Sequence, residues 1–146
     1  MVLVQGALSL WAYCESLLHA PGTPGYFNGL IARKRCEGPI ATTQSQYDIS
    51  VGRLYPLAAG LAGQDSFADP TALPEYGGVG TWGIQGLDAV TQSRKIAAMA
   101  EDYGFQPGRI YNLNSNGVIS GNSGQNDAHC DIVHPEVAHL IWQAQL

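Results

Sequence analysis

Short apolar runs that favour β-strands alternate along this chain with segments of helical periodicity. The runs occupy residues 2–5, 38–44 and 109–113, and each is rich in aliphatic, β-branched or aromatic residues. Three other segments repeat apolar residues every three or four positions, as one face of a helix does: Leu54, Leu57, Ala58, Leu61; Ile96, Met99, Ala100, Tyr103; and Val137, Leu140, Ile141, Ala144. This alternation predicts an α/β fold, with a small parallel sheet of about three strands and flanking helices.

Turn-forming residues set the expected limits of these elements. A short helix over residues 8–18 is expected to end at the Pro/Gly cluster 21–25, and the final helix begins at Pro135 with Glu136 in its first turn. Residues 64–90 form a long Gly/Pro-rich loop, which is either a lid or a surface excursion. Its aromatic residues either line an apolar acyl pocket or pin the loop to the core: Phe67, Tyr76 and Trp82.

Length and charge restrict the class of protein. The 146 residues suit one domain spanning 1–146, and only 13% of them are charged, about half the usual share. A net charge of −5 argues against a nucleic-acid surface, and we interpret Arg33, Lys34 and Arg35 as a solvated approach to a strand. The apolar N-terminus lacks basic residues and is interrupted by Gln5 and Gly6, so we expect neither a signal peptide nor a membrane span.

Three widely spaced cysteines form neither a CxxC pair nor a disulfide framework. Cys14, Cys36 and Cys130 therefore predict a reducing compartment, and we expect a cytoplasmic protein.

Two residues are candidates for chemistry at the sheet edge where strands end. Asp48 lies shortly after the run 38–44, and ligands of open α/β sheets gather at the carboxyl ends of strands. An aspartate there is equally suited to capping the helix that follows. His129 lies in a loop after the last predicted strand, where its imidazole can approach such a carboxylate and act as a general base.

The other histidines have plainer interpretations. His134, before Pro135, closes the N-terminus of the last helix, and His139 lies on that helix as a surface or packing residue. A zinc site formed by His129, Cys130, Asp131 and His134 is the alternative, but the spacing matches no familiar closed site. We expect no metal and no cofactor.

Asp48 after one strand and His129 after the next resemble the last two members of an α/β-hydrolase triad, whose order along the chain is nucleophile, acid, histidine. The segment 38–48 is similar to the acid-bearing strand and loop, 129–138 to the histidine loop and final helix, and 2–7 to the preceding strand of bacterial hydrolase-like proteins. The resemblance covers nearly the whole chain but only the C-terminal half of the family.

The chain departs from the family at the nucleophile. No serine has glycine at both positions of Gly-x-Ser-x-Gly, and Ser123, in Gly121-Asn122-Ser123-Gly124-Gln125, comes closest. The resemblance implies a truncated or partial hydrolase that carries the catalytic residues Asp48 and His129 but is inactive alone. Completed by an N-terminal half, it would hydrolyse a small-molecule ester or amide, and the sequence does not specify which one. The alternative is a non-catalytic module that oligomerises, or pairs with a partner, through an exposed edge strand.

Overall fold

A computed structural model describes residues 1–58, 73–121 and 127–145, and its centre is a parallel β-sheet. The sheet has four strands in the spatial order β1-β2-β4-β3. Their bounds are β1, Val2–Leu3; β2, Ile40–Gln44; β3, Thr91–Lys95; and β4, Ile110–Asn114. The α/β arrangement and the parallel sheet are confirmed, whereas the expected strand number of three was too low.

The additional strand is β3, at the edge beside β4. Its five residues, Thr-Gln-Ser-Arg-Lys, contain no apolar side chain, and the last three are exposed. A strand that contributes so little to the core lacks the apolar pattern from which strands are recognised. The helix predicted from Ile96 to Tyr103 is also wrong, because this segment forms turns. Ile96 and Tyr103 still pack together in the core beside Tyr111, which explains their apolar spacing.

Within the described residues, three α-helices and two short helical turns accompany the sheet. They are α1, Asn28–Ala32; a π-helical turn, Ser50–Leu54; α2, Val79–Trp82; a 3₁₀ turn, Ala128–Cys130; and α3, Pro135–Gln143. The start of α3 at Pro135 is as predicted. The helical segment after β2 begins earlier than its apolar spacing suggested, and Leu61 lies outside the described residues.

The helix expected over residues 8–18 is absent from this fully described segment. Its backbone instead pairs with the segment that precedes α2: Ser9 forms a β-bridge with Gly78, and the Leu10 amide donates to the Gly77 carbonyl. Tertiary pairing therefore replaces the i to i+4 bonds that a helix would need, and it buries Leu10 and Trp11.

The two faces of the sheet are covered by different parts of the chain. On one face, Ile40 and Ile110 pack against Val79, Ile84 and Leu87 of α2 and the residues after it. On the opposite face, alternate strand residues contact Tyr103 and Leu140 of α3: Ala41, Tyr111 and Leu113. This three-layer arrangement leaves the carboxyl edge of the sheet for the loops after β1, β2 and β4.

The two side edges of the sheet differ in chemistry. Strand β1 and the residue after it, Val4, are apolar and half-buried, while β3 ends in exposed Ser93, Arg94 and Lys95. The Arg94 guanidinium donates to the Tyr103 carbonyl and lies 4.9 Å from the centre of the Tyr111 ring.

Two further expectations concern the loops and the cysteines. Of the long loop 64–90, residues 64–72, including Phe67, lie outside the described part. Trp82 is half-buried against Leu10, and its indole thus helps to fix the loop to the core. The three cysteines are all described and are free. Among the described residues, no helix is long and apolar enough to cross a membrane.

Candidate active site

Asp48 and His129 meet at the carboxyl edge of the sheet. Asp48 lies four residues beyond the end of β2, and His129 is the middle residue of the 3₁₀ turn that follows β4. The Nδ1 atom of His129 is 3.0 Å from Oδ2 of Asp48, across 81 residues of sequence. The predicted spatial meeting of these two side chains is therefore present, because the parallel strands β2 and β4 direct both loops to one edge.

The burial of the two partners is unequal, which suits a base held by an acid. The Asp48 side chain is fully buried, whereas 35% of the His129 side chain is exposed. An ionised carboxylate only accepts hydrogen bonds, so Nδ1 of His129 carries the proton and donates it to Asp48. Among the described residues, Nε2 of His129 has no hydrogen-bond partner. This nitrogen is free to accept a proton.

Asp48 caps a helical segment and also contacts the histidine. Its Oδ1 atom accepts the backbone N–H of Val51 at 2.8 Å, which caps the helical segment after β2. Its Oδ2 atom accepts from the His129 ring and from Nε2 of Gln5, the latter at 2.9 Å. Capping and contact with the histidine are compatible because each uses a different carboxylate oxygen.

Gln5 is a buried member of the site that the sequence reading treated only as an interruption of an apolar run. Its side-chain Oε1 accepts the Thr43 hydroxyl at 2.9 Å, and its backbone N–H donates to the same hydroxyl oxygen. Its φ of 46° is in the left-handed region, which non-glycine residues seldom adopt. Two hydrogen bonds to Thr43 and one to Asp48 hold Gln5 in this conformation and orient the carboxylate.

Gly80 of α2 lies directly against the backbone of Gln5. A Cβ atom at position 80 would lie 2.8 Å from the carbonyl carbon of Gln5 and 2.9 Å from its Cα. Only glycine fits this approach. The signal in the sequence was the position of Gln5, at the end of the predicted strand 2–5 and before Gly6, although a strained and buried glutamine cannot be recognised from spacing.

Asp127 is a second carboxylate in the histidine loop. Its oxygens accept the backbone N–H of His129 at 3.1 Å and of Ile49 at 2.9 Å, as well as the amide and hydroxyl of Ser50. Burial raises the pKa of the Asp127 carboxyl, but the hydrogen bonds from Ser50 and the backbone amides outweigh burial. The pKa therefore lies below its usual value.

The residues of the alternative zinc site point to different partners. His134 Nε2 lies 2.9 Å from Oδ1 of Asp131, while His129 is turned towards Asp48. Among the described residues, no group of three or more His, Cys, Asp or Glu is placed to hold a metal ion.

His134 is the first residue before α3, as predicted, but its side chain caps no helical N–H. His139 packs on Tyr103 and donates from Nε2 to the Glu101 carbonyl.

An apolar cleft of about 280 Å³ opens in the described part of the molecule, and neither Asp48 nor His129 contributes to its lining. Tyr55 lies one helical turn beyond Val51 and contributes to the cleft, and burial raises the pKa of its hydroxyl. The remaining lining comes mainly from the segments that precede α1: Leu8, Ser9, Trp11, Ala12, Leu17, Gly25, Tyr26 and Phe27. Its described lining includes neither Tyr76 nor Trp82, two of the three aromatic residues for which lining an apolar acyl pocket and fixing the loop to the core were the alternatives.

The arrangement can accept a proton at His129 Nε2 and stabilise the resulting imidazolium with the Asp48 carboxylate. Ser123, the serine nearest to the hydrolase pattern, lies outside the described residues. Comparison with models of known protein families, with curated proteins and with solved structures found no match for this chain.

Proposed function

We propose that this chain supplies the acid, Asp48, and the general base, His129, of an α/β-hydrolase-type triad that cleaves esters or amides. The nucleophilic serine and the oxyanion-hole donors come from residues outside these 146. The observation that carries the proposal is the 3.0 Å contact between His129 Nδ1 and the buried Asp48 carboxylate, with Nε2 exposed.

The chemistry follows from this division of roles. His129 Nε2 takes the proton of the serine hydroxyl as the serine oxygen attacks the carbonyl carbon, and Asp48 stabilises the imidazolium. The imidazolium then donates its proton to the leaving alcohol or amine, which yields an acyl-enzyme. In the second half, His129 takes a proton from water as water attacks the acyl group, and the serine recovers its proton from His129.

Two features support a substrate with an apolar part. The cleft at Tyr55 is of a size to take a short acyl or aromatic group, and its lining is mostly apolar. The helical segment that carries Tyr55 is capped at its N-terminus by Asp48.

The proposal is tested by complementation. The isolated chain is mixed with, or fused to, a polypeptide that carries a strand followed by Gly-x-Ser-x-Gly, and hydrolysis of p-nitrophenyl esters of increasing acyl length is followed. We expect activity in the combination and none in either part. His129→Ala should abolish it, while His139→Ala, which removes a half-buried α3 side chain that packs on Tyr103, should not. A combination whose activity survives His129→Ala would overturn the proposal, as would turnover by the isolated chain that depends on His129.

The second candidate function is a non-catalytic module that associates through the edge of β1. The apolar character of Val2, Leu3 and Val4 at one end of the sheet favours it, because open apolar edges attract another strand. Light scattering at high protein concentration tests it. A concentration-dependent increase in mass that Val2→Lys abolishes would support the module, and a monodisperse monomer would contradict it.

A further inference from the structure

Asp127 joins the two segments that form the site. Its Oδ1 atom accepts the backbone N–H groups of His129, at 3.1 Å, and of Ile49, at 2.9 Å. Its Oδ2 atom accepts the amide of Ser50 at 3.1 Å and the Ser50 hydroxyl. Ile49 and Ser50 directly follow Asp48, so one carboxylate connects the backbone of the acid segment to the backbone of the histidine.

We propose that Asp127 is a positioning residue for His129, which it acts on by fixing the histidine loop to the segment that carries Asp48. This inference rests on the proposed function, since it concerns the geometry of the same acid–base pair. Asp127 itself contacts neither the imidazole nor the Asp48 carboxylate through any described hydrogen bond, and its action on the pair passes through the two backbones.

The chemistry of the contacts requires a short carboxylate at position 127. Four donors converge on its two oxygens, and an ionised carboxylate can accept from all of them. An asparagine offers one acceptor oxygen and would direct its NH₂ group at some of these donors. A glutamate, one methylene longer, would displace one backbone relative to the other.

The histidine loop has a separate anchor that keeps it folded. Ala128 is buried and packs with Ile119 and Val137, between β4 and α3. Removal of the Asp127 carboxylate therefore leaves the histidine loop packed on the sheet, but the loop can then change its orientation relative to Asp48. A change in the orientation of the His129 ring is enough to break its hydrogen bond with Asp48, because hydrogen bonds weaken steeply when donor and acceptor are misaligned.

The tautomer of His129 reports this angle directly and without any turnover. In ¹⁵N-labelled protein, at a pH where the imidazole is neutral, long-range ¹H–¹⁵N spectra distinguish a proton on Nδ1 from one on Nε2. The contact with Asp48 makes Nδ1–H dominant in the unmodified chain. We expect Asp127→Ala to turn this dominant form into the minor one, Asp127→Asn to give an intermediate ratio, and Ser50→Ala to give a smaller shift in the same direction.

Asp102→Ala is the matched control, because Asp102 accepts one backbone amide, that of Gly104, in an exposed turn. It should leave the His129 tautomer unchanged, and the signals of His134 should stay fixed in every variant. If Asp127→Ala does not fold, Ser50→Ala and Asp127→Asn decide the question. If these variants fold and none of them alters the His129 tautomer, the positioning role of Asp127 is overturned, while the proposed function is not.

Failure of the proposed function gives a different result. If the unmodified chain does not favour Nδ1–H, or if Asp48→Asn leaves the tautomer unchanged, the Asp48–His129 pair does not operate and the role of Asp127 is overturned with it.

Discussion

The described residues include two aspartate–histidine pairs that share a contact distance and a pattern of burial but differ in sequence separation and in the ring nitrogen used. Asp48 and His129 are 3.0 Å apart, and Asp131 and His134 are 2.9 Å apart. In both pairs the aspartate is buried and the histidine is partly exposed. However, 81 residues separate the members of the first pair and three separate those of the second.

The ring nitrogen in use distinguishes their possible roles. His129 binds its aspartate through Nδ1, which leaves Nε2 at the tip of the side chain for a substrate. His134 binds through Nε2, which leaves Nδ1 next to its own backbone. Asp131 also accepts the amides of Ser120 and Gly121, so the second pair secures the loop after β4 to the start of α3. Proximity of the two residue types is therefore insufficient evidence for a catalytic pair.

The largest expected difference between the pairs is in activity. In the complementation assay for the proposed function, His129→Ala should lower kcat/KM at least about a thousandfold, because the proposal assigns the general base to His129. His134→Ala should lower it less than about tenfold, since the proposal gives the second pair no part in the reaction. Steady-state hydrolysis of a p-nitrophenyl ester measures both. Equal losses of kcat/KM in the two variants would show that the two pairs do not differ in their contribution to activity.

For the free energy of unfolding, we expect the second pair to matter more than the first. Asp131→Ala leaves the Ser120 and Gly121 amides and the His134 ring without their acceptor. We expect the free energy of unfolding to fall by about 1–3 kcal/mol, because three partly buried donors lose their acceptor. Urea denaturation gives the value, and Asp102→Ala, in an exposed turn, should change it by less than about 0.5 kcal/mol. A comparably small change in Asp131→Ala would contradict a structural role for the second pair.

Gly80→Ala should affect the first pair and spare the second. The added methyl group meets the Gln5 backbone at 2.8 Å, and we expect a loss of about 1–3 kcal/mol, typical of overpacking. The His129 signals in the NMR spectrum should shift while those of His134 stay in place. Gly117→Ala is the control, because a Cβ there would meet no atom within 4 Å.

The smallest effect concerns pH and the Asp127 carboxylate. The pKa of Asp127 is lowered in the folded chain, below an unfolded value of about 3.9, so its ionised form stabilises the fold above that pH. Asp127→Asn should lower the free energy of unfolding by about 1 kcal/mol at pH 7, because the amide keeps one acceptor oxygen and loses the other. This difference should persist down to about pH 5 and narrow as the pH falls below about 4. A stability difference between the unmodified chain and Asp127→Asn that widens as the pH falls would contradict a lowered pKa for Asp127.

The parts of the fold that could be read from the sequence are those whose side chains enter the core. Strands β2 and β4 and helix α3 carry apolar residues at the spacing of their element, and each was recognised within a few residues of its true bounds. Strand β3 was missed because hydrogen bonds to β4, rather than side-chain burial, define it. The expected helix over residues 8–18 was wrong because pairing with Gly77 and Gly78 is a tertiary effect.

The candidate site was predictable to the same extent. Asp48 and His129 could be placed together because parallel strands deliver the residues after them to one edge. Gln5 could not, since its role depends on a left-handed backbone conformation and on contact with Thr43. Asp127 was equally hidden, because only the folded chain brings Ile49 and Ser50 within reach of its carboxylate.

The unlike side edges of the sheet limit the assemblies that strand pairing can produce. Two copies related by a two-fold axis at β1 would join their sheets into one of eight strands, each outer end being a β3. A further copy would have to dock beside Arg94 and Lys95 and desolvate their cationic groups. Association through β1 therefore closes at a dimer and does not propagate into a filament.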